Sequence, residues 1–421
     1  MFNKVKGTHD ILPDESIVWQ KLEKEIRILC SNYNFKEIRL PVIEYTNVFT
    51  RSIGEETDIV SKEMYSFQSR GGKSITLRPE GTAGAVRSYV ENKVHGQEAL
   101  TRWFYFGPMF RAERPQKGRQ RQFHQFGIEL IGSESPVADA EVIIFNIMLF
   151  KRLGLKNVKL KINSVGDENS RPKYIENLKT YFSDKLDGLC EQCKVRYEKN
   201  ILRMLDCKVT TCQQILNNAP AIEDFLDTAS KEHFETVKSL IPQAEIEFTC
   251  DKRLVRGLDY YTRTAFEITS GDLGGQDAIA GGGRYDNLIE SFGKNKIPAV
   301  GSALGMERLI IAYKSSGAYD EAVSSLDIYV TYFEHKHVKH AFSVLKNLRD
   351  HGLSADISQK AKKIGSQLKD ADRLNSHFAV IIGDDEIKTG KYTLKDLKKG
   401  EQFTGLSLEQ VITEIQKNIN R

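Results

Sequence analysis

Three short stretches hold most of the residues that could do chemistry. In FRAERPQKGRQRQFHQFGIELIG, Arg111, Arg114, Lys117, Arg119 and Arg121 surround one carboxylate, Glu113. A guanidinium group presents a planar fork that pairs two oxygens at once, so this many beside one polar face point to phosphate. A solvated hairpin tip is the competing reading. If residues 123–131 form a strand, Phe123, Gln125, Gly127, Glu129 and Ile131 share one face, and His124, Phe126, Ile128 and Leu130 share the other. The first face then sets an amide and a carboxylate two pleats apart, with a glycine between them where a ligand or backbone could approach closely. This is a polar slot over a sheet, against the plainer reading of a solvated face. On the preceding strand Arg111 and Glu113 would also share a face.

The second stretch, RGLDYYTRTAFEI (256–268), reads as β-like and places Tyr260 and Tyr261 between Arg256 and Arg263, with Glu267 beyond. Successive strand residues point to opposite faces, so the two phenols would meet a ligand alike only if a bulge intervened. Nearby, GGGRYD (281–286) is a glycine-rich turn without the lysine and hydroxyl of a P-loop. GSALGMERL (301–309) carries Arg308 into the first turns of a helix, where a cation gains nothing from the macrodipole and an acidic ligand explains it better. The third group is Cys190, Cys193, Cys207 and Cys212, spaced C-x2-C, thirteen residues, C-x4-C. That resembles a four-cysteine zinc site, although the flanks read as helix; four thiols without metal is the other reading.

These residues need a scaffold, and 421 residues are too many for one small core, so two or three domains are expected. The balance of 61 basic and 57 acidic residues excludes a highly basic protein that coats nucleic acid indiscriminately, while leaving room for a local basic surface. No apolar run is long enough to cross a bilayer. The opening MFNKVKGTHDILPDE breaks into charge, Gly and Pro too soon for a signal peptide. The expectation is a cytoplasmic chain with its six cysteines mostly reduced.

Ile17, Val18, Leu22, Ile26 and Leu29 recur at a helical period. SITLRPEGTAGAVRSYV reads as strand, tight turn and helix, and 103–131 as a long antiparallel hairpin around the basic loop. Residues 171–240 turn helical and charged, and read as a separate inserted unit. Strand-like sequence returns with EIEFT and runs on to VGSALGMERLIIAY, a strand leading into a helix. From 327 onward the order is strand (LDIYVTYF), helix, strand (HFAVIIG), charged turn and helix, a compact α/β domain.

FRAERPQKGRQRQFHQFGIELIG resembles the second signature motif of class II aminoacyl-tRNA synthetases, and GSALGMERL their third. FKEIRLPVIE, with Pro41, is similar to their first, which forms a dimer interface. KGTHDILPDE, TLRPEGTAG, LVRGLDYYTRTAFE and GGGRYDNLI are specifically similar to the histidyl-tRNA synthetase family, and the likeness covers nearly the whole chain in family order. The resemblance implies an α+β fold: a class II antiparallel sheet flanked by helices in a catalytic domain at 1–325, interrupted by a helical insertion at 171–240, and a C-terminal α/β anticodon-binding domain at 326–421.

It also implies a reaction. The histidine carboxylate attacks the α-phosphate of ATP, giving histidyl-adenylate and pyrophosphate, and the histidyl group then passes to the 3′ end of histidine tRNA. No protein nucleophile is needed, in keeping with the lack of a convincing Ser/His/Asp or Cys/His set; positioning and charge stabilisation carry the chemistry. By motif position, Arg111 meets the α-phosphate and substrate carboxylate, and Glu113 the adenine side. Arg121 and Arg308 hold the bent triphosphate, and Arg256 is a second cation at the α-phosphate, where related enzymes use metal. Mg²⁺ accompanies ATP, bridging its phosphates rather than sitting among protein side chains. The family does not generally require zinc at the insertion cysteines, so none is expected.

Glu80, Gly81 and Thr82 with Gln125 are implied to hold the α-amino group. Glu129 accepts from one imidazole nitrogen while a hydroxyl of Tyr260 or Tyr261 donates to the other, the choice being open. Sites built on such required hydrogen bonds reject analogues by roughly 10⁴–10⁵-fold, so no editing domain is expected. Arg114 and Gln116 are candidates for the extra 5′ nucleotide of histidine tRNA, and the insertion for a tRNA-contacting arm. The C-terminal domain, with Lys360, Lys362 and Lys363, would meet the anticodon, unless those lysines are a solvated helix face. The implied partners are histidine tRNA, ATP, L-histidine and a second copy of the chain, with no membrane. A regulatory paralogue of histidine biosynthesis shares this fold without aminoacylating tRNA. It would be expected to lose the LDYY-type residues, the motif arginines and the anticodon domain, all of which this chain keeps.

Overall fold

Along Gln122–Ile131, Phe126, Ile128 and Leu130 alternate with Gln125, Gly127 and Glu129, and this alternation sets the layering of the larger part of the molecule. The structure is a computed structural model describing residues 2–54, 57–116, 118–274, 277–293, 295–318 and 325–419. Its chain divides into two units, Met1–Ile11 with Trp19–Asp320 and Leu12–Val18 with Glu321–Arg421.

The first unit is built on an eight-stranded sheet. Its strands run in the order Lys36–Glu37, Thr101–Phe110, Gln122–Ile131, Ala299–Gly305, Ala278–Arg284, Thr262–Ser270, Val158–Ser164 and Phe248–Cys250. Pairing is antiparallel except at the two edges. The apolar face is covered by the helix Pro136–Arg152, whose Phe145 stacks on Phe126 with ring centroids 6.0 Å apart. Ser135 caps that helix, accepting from the Val137 N–H at 3.3 Å, and Pro136 occupies its first position. Val142, Ile143, Leu149 and Phe150 are wholly buried on it, each worth about 1.5–3 kcal/mol of hydrophobic stabilisation. The helix Thr228–Leu240 packs against it in turn. Between 171 and 227 lies a separate core around Tyr174, Leu178, Phe182, Met204, Leu205 and Leu216.

The hairpin expected from sequence forms with Tyr105 opposite Gly127. Its first strand, however, stops at Phe110, so Arg111 and Glu113 lie past the strand and do not share its pleat. The Ala112 N–H donates to the Glu63 carbonyl at 2.8 Å and draws the chain out of the sheet. The stretch 256–268 also differs from its β-like expectation. The strand starts only at Thr262, and the tyrosines sit in the turn before it. Arg263 has φ +49°, and the pairing slips between Gly283 and Arg284, which is a β-bulge directly after the tyrosine pair.

In the second unit a five-stranded sheet runs in the order Ala355–Ile357, Ile328–Tyr332, Phe378–Ile382, Tyr392–Asp396 and Gln402–Leu406. Helices Val338–Asp350 and Leu408–Asn418 bury Val344, Leu345, Leu348, Val411 and Ile415 in its core. Lys360, Lys362 and Lys363 lie in the segment before the helix Ile364–Arg373 rather than on a helix face, and Lys362 pairs with Asp370 at 2.9 Å. Among the described residues no helix is long and apolar enough to cross a membrane.

Candidate active site

The glycine-rich strands Ala278–Arg284 and Ala299–Gly305 leave the sheet face open opposite its helical cover, and side chains from several loops fill in around it. Four guanidinium groups, those of Arg111, Arg119, Arg256 and Arg308, line one cleft there with Glu80, Thr82, Gln125, Tyr260 and Tyr261. Arg256 leaves the turn ahead of the tyrosines and pairs with Glu267 at 3.0 Å. A Cβ at Gly281 would collide with its guanidinium, so that glycine is required by close approach. Arg119 pairs with Glu113 at 3.1 Å, and Arg111 lies 3.8 Å from the same carboxylate and 5.2 Å over the Phe123 ring. Arg308, in the first turn of the helix Met306–Ser315, donates to the backbone carbonyls of Gly118 at 3.0 Å and Ala278 at 2.7 Å. Burial first, then the charge of Arg119, pushes the Arg308 pKa down, with Arg111 adding to the shift. Cations crowded this way favour a bound polyanion.

At the other end Glu80 accepts from the Thr82 and Ala83 N–H groups at 2.7 and 2.8 Å, satisfying two donors at the start of the helix Thr82–Glu91. Its burial nevertheless pushes its pKa up. The Gln125 Oε1 is buried without a hydrogen-bond partner among the described residues, an acceptor placed for a donor that the protein does not supply.

Glu129 does not itself line the cleft. It is wholly buried and accepts from Thr82 Oγ1 at 2.8 Å and from the hydroxyls of Tyr105, at 3.1 Å, and Tyr285. Burial pushes its pKa up to about 8 against the pull of those hydroxyls. The slot read between Gln125 and Glu129 is taken by the Tyr105 phenol, with which a Cβ at Gly127 or at Gly81 would collide. The glycine therefore makes room for a neighbouring side chain. Tyr260 and Tyr261 both line the cleft, their rings 4.7 Å apart, because the turn frees them from the alternation of a strand. Tyr260 also meets Tyr285 edge-on at 5.8 Å, which joins the pair to the Glu129 cluster.

Not every expected residue converges. Gly81 caps the helix Thr82–Glu91 without lining the cleft. Arg121 points away toward Gly7, its Nε 3.4 Å from the Glu113 carbonyl. Gln116 forms a β-bridge with Arg119 at the loop tip next to Arg114, and Lys117 lies outside the described residues. Arg119 and Glu267 were noted in sequence without a role of their own, and Tyr105 and Tyr285 were not singled out, because the Tyr105–Gly127 pairing depends on strand register.

The Sγ atoms of Cys190, Cys193, Cys207 and Cys212 lie within 4.8 Å of one another. Among the described residues this is the one group of three or more His, Cys, Asp or Glu side chains placed to hold an ion. The cleft carboxylates Glu113, Glu267 and Glu307 are instead engaged by Arg119, Arg256 and His124.

Comparison with known proteins gives this geometry its context. Residues 7–309 match the family model for histidyl-tRNA synthetase, and residues 327–418 match that for an anticodon binding domain. A histidine–tRNA ligase of Halothermothrix orenii is 48% identical over 98% of both chains. One from Fervidobacterium nodosum is 45% identical over 99% of this chain and 100% of its own. The crystal structure of apo S. aureus histidyl-tRNA synthetase superposes with a TM-score of 0.84 at 37% identity, covering 99% of this chain and 100% of the other. A structure titled as an ATP phosphoribosyltransferase regulatory subunit/histidyl-tRNA synthetase, from Bacillus halodurans C, has a TM-score of 0.64 at 21% identity over 91% and 98% of the two chains, which shows a shared fold alone. On full-length relatives at this identity, the chain belongs to the histidyl-tRNA synthetase family.

Proposed function

We propose that this chain activates L-histidine with ATP to histidyl-adenylate and pyrophosphate, then transfers histidine to the 3′ end of its tRNA. The observation that carries the reading is the meeting of four guanidiniums with Glu80, Thr82 and Gln125 in one cleft. A triphosphate is the anion that such a cluster accommodates, and the unpaired Gln125 oxygen, with the Glu80 carboxylate, accepts from an α-ammonium group.

In this reading Arg111 and Arg256 hold the α-phosphate while the histidine carboxylate approaches it. As charge builds on the transferring phosphoryl group, both cations are already placed and need not reorganise. Arg308 and Arg119 hold the outer phosphates; Arg119 takes the part that motif position assigned to Arg121 beside Arg308. Magnesium, arriving with ATP, would neutralise phosphate charge. Tyr260 or Tyr261 and Glu129 close the imidazole pocket, and the carboxylate, reached past Thr82, selects a ligand that offers an N–H. The helical insertion serves as a tRNA-contacting arm, Arg114 and Gln116 meet the acceptor end, and 326–421 binds the anticodon. A second copy would cover the small sheet of Ile43–Tyr45, Tyr65–Gln68 and Ser74–Leu77, where Ile43, Tyr45 and Phe67 are exposed. The chain would work in the cytoplasm.

Pyrophosphate exchange with each of the twenty amino acids tests this. Exchange with histidine alone is expected; exchange with none would turn the reading toward the regulatory paralogue. The retained cleft arginines and the match over 327–418 count against that paralogue.

A further inference from the structure

The insertion core between 171 and 227 is small, and three of its buried residues are cysteines: Cys193, Cys207 and Cys212. Cysteine can pack as a small apolar residue, and that alone would scatter thiols through a core. Here the four come from three segments and converge. Cys190 is the residue before the helix Glu191–Lys199, Cys193 lies in that helix's first turn, Cys207 follows the turn Ile201–Asp206, and Cys212 lies on the helix Thr210–Leu216. All four Sγ atoms fall within 4.8 Å of one another, with Cys190 and Cys207 at 3.9 Å. A tetrahedral zinc with bonds of about 2.3 Å to sulfur sets its ligands about 3.8 Å apart, so the quartet needs to contract by an ångström or less. The Cys190 N–H already donates to the Cys212 sulfur at 3.2 Å, the kind of bond that holds a thiolate ligand in place. Cys30 and Cys250 lie elsewhere, and none of the six is in a disulfide.

We propose that Cys190, Cys193, Cys207 and Cys212 bind one structural zinc ion, and that this centre braces the turn carrying Arg256, Tyr260 and Tyr261. The link is the segment between Cys193 and Cys207. Its Asn200 donates to Asp259 Oδ1 at 3.2 Å, and its Arg203 donates to the Gly257 carbonyl at 2.9 Å and pairs with Asp58 at 3.5 Å. Fastening both ends of that segment to one ion limits how far Asn200 and Arg203 can withdraw from the cleft wall. Four thiolates with no open position mark a closed structural site. A small core of this kind gains stability from a metal in the way other small domains do. Zinc content is independent of the proposed substrate, so failure here and failure of the histidine reading are distinguishable.

The test uses the full chain purified without chelators. Elemental analysis is expected to find one zinc per chain, lost in Cys193→Ser and Cys212→Ser and kept in Cys30→Ser and Cys250→Ser. Protein produced with cobalt should show the absorption of a tetrahedral thiolate centre, which decides the matter without variants if the serine proteins fail to fold. Wild-type protein with no metal and four freely reactive thiols would overturn the proposal. So would iron in place of zinc, or zinc retained when Cys193 and Cys212 are both replaced. On release of zinc by a mercurial, amide exchange at 257–261 is expected to rise; unchanged exchange there would overturn the bracing.

Discussion

Two carboxylates with no solvent exposure belong to opposite sides of one sheet and differ in what faces them. Asp139, on the helical side, meets the equally buried Arg284 guanidinium at 3.1–3.2 Å and has His233 at 3.4 Å. Glu129, on the cleft side, accepts among the described residues from hydroxyls alone, those of Thr82, Tyr105 and Tyr285. Arg284 and Tyr285 are neighbours in sequence, so the end of one strand supplies a cation to one face and a phenol to the other. For Asp139, burial is outweighed by the His233 ring beside it and by Arg284, and its pKa falls below the usual value. For Glu129, burial wins and its pKa rises to about 8. A pair balanced within the protein is structural. A carboxylate surrounded by neutral donors stays electrically incomplete, which suits a group meant to recognise a ligand.

Breaking the balanced side should have the largest effect on stability. Arg284→Met leaves Asp139 and Asp286 without their shared cation and should lower the unfolding free energy by about 3–5 kcal/mol, read by urea denaturation. A loss below about 1 kcal/mol would mean that His233 alone compensates Asp139. Glu129→Gln should behave in the opposite way. Glutamine keeps the shape and hydrogen-bonding capacity of a neutral carboxyl, so stability at pH 7 should move by less than about 1 kcal/mol. Histidine-dependent pyrophosphate exchange should fall by about 10²–10³-fold, with ATP binding little changed. Equal losses in histidine-dependent exchange and in ATP binding would remove Glu129 from the imidazole.

The same contrast predicts pH dependences of opposite sign. Glu129 has a raised folded pKa, so its contribution is fully present below its ordinary value of 4.5 and is lost as pH rises toward about 8. Asp139 has a depressed one, so its contribution is present above its ordinary 3.8 and is lost as pH falls through the lower folded value. Stability of the ligand-free protein, compared between wild type and Glu129→Gln, should therefore diverge from pH 4.5 to 8 by at most about 1.4 kcal/mol per pH unit. Parallel curves over that window would show that Glu129 does not titrate as its surroundings dictate.

Local rules carried the sequence reading a long way. Period-two alternation placed Gln125 and Glu129 on the face opposite Phe126 and Ile128, and the helix cover confirms that layering through the Phe126–Phe145 stack. The family resemblance, not any local rule, implied that Arg111, Arg256 and Arg308 share one site, and the three do line one cleft from positions nearly two hundred residues apart. What stayed hidden depends on contacts between strands. The space above Gly127 belongs to Tyr105 only because of their register, and Tyr285 reaches Glu129 only because the sheet pairs 278–284 beside 299–305. The turn at 256–261 reads as strand in sequence because its two tyrosines are β-formers and run straight into the strand that starts at Thr262. The cysteine quartet was visible as spacing, but its convergence required the fold of 171–227.

The smallest effect is expected from a change on the Glu129 side alone. Tyr105→Phe keeps the ring that fills the space over Gly127 and removes one of the three hydroxyls on Glu129. A lost hydrogen bond of this kind costs about 0.5–1.5 kcal/mol, so the affinity for histidine should weaken by no more than about tenfold, read as a raised KM in exchange. That hydroxyl holds the Glu129 pKa down, so removing it should shift the wild-type titration upward, while the Asp139 limb at acid pH stays where it is. A raised KM with no upward shift would mean that Tyr105 acts by shaping the pocket alone. A shift in both limbs would mean that the two sides of the sheet are coupled, and that the separation between a balanced pair and a ligand-ready carboxylate does not hold.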